Sequence, residues 1–173
     1  MNGWWPTFAF FLLAALTGPN EHPQSEAVSL EQFSFVVGNW SGTFKGYATA
    51  RMPKGFEAPG TMVARWGPQH AWIESEASTE IPGLGQYSAK VVVRFDSQNK
   101  AFDSFVVNTA GNAARYSGSL SANKVVFIGQ IGAVQQRVTY ENVSGHEMRF
   151  FVEESHDGGV SYQPHSEILW RRN

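Results

Sequence analysis

The chain contains no cysteine, which excludes a disulfide-stapled scaffold, thiolate catalysis, iron–sulfur clusters and cysteine zinc sites. It has no run of five basic residues, and its net charge is −2, so a dedicated nucleic-acid or anionic-membrane surface is not expected. Long apolar stretches are also missing: the one continuous run, Trp4–Leu16 (WWPTFAFFLLAAL), has 13 residues, where a membrane span needs about 20. Internal repeats of fixed period are lacking too, which counts against solenoids and propellers. Aromatics and glycine are plentiful, with 14% Phe, Trp and Tyr and 17 glycines against 16% charged residues in 173. That composition suits one domain with a packed core.

The amino end reads as a separate object. An apolar run of this length followed by small residues matches a signal-peptide h-region, although no Lys or Arg precedes it. Residues 1–18 are therefore expected to be an export signal and 19–28 a flexible leader rich in Pro, Glu, Gln and Ser, with a domain over 29–173. With no cysteine after the run, a lipid anchor is not expected. The mature chain should be periplasmic or secreted, away from the membrane, as a monomer or homodimer.

From Ser29 onward the pattern is uniform. Ser29 with Gln32 three residues later is a capping-box start for one or two helical turns. Runs of strand character then recur near 37–50, 59–67, 71–80, 86–95, 102–109, 113–120, 123–130, 133–142, 146–155 and 160–171. Turn residues separate them, as in Ile81-Pro82-Gly83-Leu84-Gly85, Ala110-Gly111-Asn112 and Asp157-Gly158-Gly159. Connections this short join antiparallel neighbours, since a parallel pair needs a crossover of a dozen or more residues. In 133–142, Val134, Val138 and Tyr140 alternate with Gln135, Arg137, Thr139 and Glu141, the pattern of a strand with one buried face. An open sheet of so many strands leaves long unpaired edges, and closure removes them. The expected fold is all-β: a single up-and-down antiparallel barrel of 8–10 strands with one short N-terminal helix.

Gly38-Asn39-Trp40 opens the first strand and Trp170-Arg171-Arg172 closes the last. This pairing resembles the lipocalin and wider calycin signature. Together with FSFVVGNWSGT, WGPQHAWIESE, AKVVVRFDSQNKAF and SHDGGVSYQPHSEILWRR, it is similar to a bacterial lipocalin-like family of unknown function over residues 30–172. The resemblance implies a Trp40 plug at one barrel end, crossed by Arg171 or Arg172, and a tendency to bind ligands. It implies no catalytic residue.

Residue by residue, the chemistry is sparse. No G-x-S-x-G elbow occurs. Glu74 and Glu76 share a strand face and could serve as acid and base inside a barrel, with Arg94 as anchor, or could be solvated outside. Arg65 and Arg94 interrupt apolar strands, either as anchors for a ligand carboxylate or as outward members of the alternation. Of the five histidines, His165 lies within the last strand. Turned inward, it resembles the haem-ligating histidine of nitrobindin-type barrels, which makes haem an alternative cofactor; otherwise none is expected, and no metal. Trp66, Trp72, Arg94, Phe105, Phe127, Tyr140 and Phe150 form the candidate ligand-binding set. The partner expected is a small apolar or amphiphilic molecule.

Overall fold

The computed structural model describes residues 28–49 and 52–173. The apolar run, the assigned signal and nearly all of the leader lie outside the described residues. Within them, a 3₁₀ helix, Leu30–Val36, precedes ten strands: β1 Gly38–Gly46, β2 Phe56–Trp66, β3 Ile73–Ile81, β4 Gly85–Asp96, β5 Ala101–Asn108, β6 Ala113–Ser121, β7 Lys124–Ile131, β8 Val134–Ser144, β9 Glu147–Ser155 and β10 Gln163–Arg172. The helix start follows its capping residues, with the Ser29 N–H donating to Gln32 Oε1 at 3.2 Å.

All strand pairs are antiparallel, each strand pairs with its chain neighbours, and β1 also pairs with β10 from Trp40↔Arg172 to Gly46↔Ser166. The sheet is a closed barrel with no edge left to pair with another chain. Period-two alternation sorts the walls. Along β2, Ala58, Gly60, Met62 and Ala64 are buried while Glu57, Pro59, Thr61, Val63 and Arg65 are exposed. Gly42 on β1 permits closure, because a Cβ there would sit 2.6 Å from the Leu169 carbonyl oxygen and 3.1 Å from the Trp170 ring.

One end of the barrel is filled by its own side chains. The helix lays Leu30, Phe33 and Val36 into it. The Phe33 ring meets Phe102, Phe127 and Tyr140 at centroid distances of 5.9, 5.8 and 5.3 Å, tilted and edge-on contacts that favour the rings' quadrupoles. Trp40 is 1% exposed, and its Nε1–H donates to the Val36 carbonyl at 2.8 Å. The Arg172 guanidinium lies over the Trp40 ring at 4.3 Å. It donates to the carbonyls of Val37 (2.5 Å), Phe35 (3.1 Å) and Gly145 (3.2 Å). Two of these acceptors are carbonyls at the carboxyl end of the helix, which have no intrahelical donor. One cation thus satisfies them and covers the indole. Arg171 does not share the role: its neighbours on β10, Trp170 and Arg172, take the inner face, so Arg171 points out to Glu147 at 3.2 Å.

Candidate functional site

Beyond this aromatic layer, towards the end where β1 finishes and β10 begins, the inner wall changes character. Inward-facing Phe44, Ala77, Val91, Val106, Ala114 and Val138 are only half-buried, whereas Phe102, Phe127 and Met148 in the filled half are at most 1% exposed. The inner-face side chains of this half therefore remain partly accessible, unlike those of the filled half.

A polar row crosses that half. Register pairs Tyr116 with Gly129, Gly129 with Gln136, and Gln136 with Glu154, so β6 to β9 set three polar side chains in one transverse line. Gly129 makes the line possible, because the Tyr116 ring lies over it where a Cβ would collide with ring carbons. The Tyr116 hydroxyl donates to Gln136 Oε1 at 2.6 Å, and Gln136 Nε2 donates to Glu154 Oε1 at 2.9 Å. Glu154 Oε2 lies 3.4 Å from His165 Nδ1. His165 occupies the position at which β9–β10 pairing skips between Pro164 and Ser166, an irregularity that re-aims the side chain. Its Nδ1 is buried beside Glu154 without meeting the geometry of a full hydrogen bond.

The charges follow from these neighbours. His165 first, then Gln136, hold the Glu154 carboxyl below the usual carboxylate range against the opposing effect of burial. Burial, with Tyr87 and Glu154 nearby, pushes the Tyr116 phenol up to about 12. Tyr140 and Tyr87 are raised as well, chiefly by burial. At neutral pH the row therefore reads phenol, amide, carboxylate.

The sequence-selected residues distribute differently. Phe127 and Tyr140 belong to the filled half, and half-buried Phe150 packs on Tyr140 at 5.0 Å. Trp66 ends β2 at the plugged end, stacked by His70 at 4.4 Å, and Trp72 folds its ring over Gly67 across the β2–β3 turn. Arg94 and Phe105 do not face the lumen. Val93 and Phe102 point inward, and a strand residue one or three positions away must take the opposite wall. Phe105 is 43% exposed, with the Arg115 guanidinium 5.4 Å from its ring. Glu74 and Glu76 are outside too: Glu74 bridges Arg65 at 3.0 Å on the outer wall and Glu76 is exposed. An acid–base pair of these residues with Arg94 inside the barrel is thereby overturned. His165 turns its Nδ1 to Glu154, and the apolar depth of the barrel beyond it is occupied by the Phe33 cluster.

Arg94 instead serves the outer wall. Arg94 Nη2 reaches Asp103 Oδ2 at 2.7 Å and Arg115 Nη2 reaches Oδ1 at 2.9 Å, each guanidinium adding a second bond through Nε. Arg115 first and Arg94 next hold the Asp103 carboxyl below its ordinary value of 3.8. A lowered folded-state pKa gives stabilisation that is complete above the unfolded value and is lost as pH falls through the folded one. Asp103→Asn is expected to flatten the acid limb of the stability profile below about pH 4, measured as urea midpoints between about pH 2 and 6; an unchanged limb would show that the triad carries no linkage.

Two recesses, about 390 and 310 Å³, lie mainly along the outer wall, beside Asp103 and Arg115 and beside Thr61 and Ser78. They are shallow and wide, unlike the concave sites that bind small molecules, and the polar row on the inner face is the candidate site. Parity could have located it: Tyr116 is two residues from inward Gly118, Gln136 two from Val138, and Glu154 two from Val152.

Fold and site define a closed ten-strand antiparallel barrel, filled at one end by a helix and aromatic rings and opening at the other onto a half-apolar wall with one carboxylate row. No protein-family model matches the chain, and no curated protein matches it in sequence.

Proposed function

We propose that this chain is an exported, lipocalin-like up-and-down barrel that binds a small amphiphilic molecule in its open half without transforming it. The observation that carries the reading is the Tyr116–Gln136–Glu154 row set in a half-buried apolar wall. A few convergent polar groups in an otherwise apolar concavity fix a ligand's orientation, while the wall supplies affinity of about 25 cal/mol per Å² of apolar surface buried. The Trp40–Arg172 plug supports the same reading, since a barrel sealed at one end holds a ligand that enters from the other.

Fluorescence titration with N-phenyl-1-naphthylamine, a neutral apolar probe, tests this. Saturable one-to-one binding is expected, weakened at least about tenfold by Ala114→Leu, whose added bulk projects into the open half. Each tenfold corresponds to about 1.4 kcal/mol. No saturable binding, or binding indifferent to Ala114→Leu in a folded variant, would sink the proposal.

A further inference from the structure

We infer that the ligand carries a protonated amine that pairs with Glu154; this rests on the lumen-binding reading above and names its ligand class. Among the described strand residues, Glu154 is the one carboxylate on the inner face of the open half. The outward members of the alternation hold the others, and several of these, including Glu74, Asp103, Glu141, Glu147 and Glu153, are paired with arginine or lysine. No described lysine or arginine lies on that inner face. Arg172 is inward but seals the opposite end, and Arg65, Arg94, Arg115, Arg137 and Arg149 all point outward.

Glu154 is therefore a half-buried anion whose built-in partners fall short of its needs. A carboxylate accepts about four hydrogen bonds. Here Gln136 Nε2 donates one, at 2.9 Å, and His165 Nδ1 stands 3.4 Å away without completing another. The row also has a fixed polarity: Tyr116 donates into Gln136, which presents its NH₂ to Glu154, so the chain of donors ends on an acceptor. An anionic headgroup would meet like charge there. A donor is selected, and a charged donor forms bonds roughly twice as strong as a neutral one. A metal ion is a poor match, since no three His, Asp or Glu side chains converge among the described residues. At the same open end Phe44 and Phe56 stack at 5.4 Å with an interplanar angle of 11°, a flat aromatic wall for the apolar part of such an amine.

Calorimetric titration of the full chain at pH 7 with octylamine, octanol and octanoate separates the possibilities. Octylamine is expected to bind at least about tenfold more tightly than octanol, a gain of about 1.4 kcal/mol, and octanoate most weakly. Glu154→Gln should erase the preference for octylamine over octanol, and Glu154→Asp, which keeps the charge, should preserve it. Octanol binding that matches or exceeds octylamine binding, octanoate binding as tight as octylamine, or a preference that survives Glu154→Gln overturns this inference alone. Failure of all three probes to bind overturns the lumen reading with it.

Discussion

Trp40→Ala is expected to cost about 3–5 kcal/mol of stability, the largest single effect in the molecule. The indole is 1% exposed, and its removal opens the sealed end where surrounding backbone is tied down and cannot collapse into the space. It also strips the Val36 carbonyl of its donor and takes the aromatic face from beneath Arg172. Trp40→Phe separates these contributions, because it keeps most of the packing and should cost mainly the lost hydrogen bond, about 1 kcal/mol. The Trp40–Arg172 attraction itself is expected to appear as a coupling of about 0.5–2 kcal/mol in a double-mutant cycle with Arg172→Ala. Urea unfolding of the parent, Trp40→Ala, Trp40→Phe, Arg172→Ala and the Trp40→Ala/Arg172→Ala double variant measures all three quantities. A Trp40→Ala cost below about 1 kcal/mol would mean that the plug is not a stability element.

Phe33→Ala is expected to follow closely, at about 3–5 kcal/mol. Phe33 is 2% exposed and is the one helix side chain whose ring touches Phe102, Phe127 and Tyr140 together. Those partners come from β5, β7 and β8, so the ring holds the helix against three separate strands. A seven-residue 3₁₀ helix is too short to persist alone, and its position depends on this contact. Truncation should leave a dry apolar void of the kind that binds benzene. Two measurements check it: a lowered urea midpoint, and partial recovery of that midpoint in saturating benzene. Recovery in the variant but not in the parent would identify the filled half as a core that can be hollowed; a midpoint equal to the parent's would show that the helix is a passive cover.

Much of the architecture was legible residue by residue. The ten strand cores can be read from alternation and turn chemistry, within a few residues of their observed ends. The resemblance carried by the first and last strand motifs implies Trp40 crossed by Arg171 or Arg172, and it is Arg172 that lies across the ring. Residue type alone does not say which wall a strand side chain takes. Phe105 and Phe127 are both aromatic, yet Phe105, three positions from inward Phe102, faces solvent. Glu74 and Glu76 were correctly read as sharing a face, but which face depends on Ile73 being buried beside them. The polar row leaves no motif in the sequence, since Tyr116, Gln136 and Glu154 are each ordinary strand residues on separate strands.

What the sequence determined by itself is local: strand, turn and helix start depend on period two, on glycine and proline positions and on a cap within four residues of one another. What only the tertiary structure decided is register. Tyr116 and Glu154 are brought into one row by the pairings Tyr116↔Gly129, Gly129↔Gln136 and Gln136↔Glu154, the last of them set by the β8–β9 turn together with the pairing irregularity between Asn142 and Ser144. The skipped pairing between Pro164 and Ser166 accompanies the approach of His165 to Glu154. A slip of one residue in any of these hairpins would turn the carboxylate to the outer wall. The filled and open halves are likewise a consequence of closure, which decides how much volume the inward side chains must share.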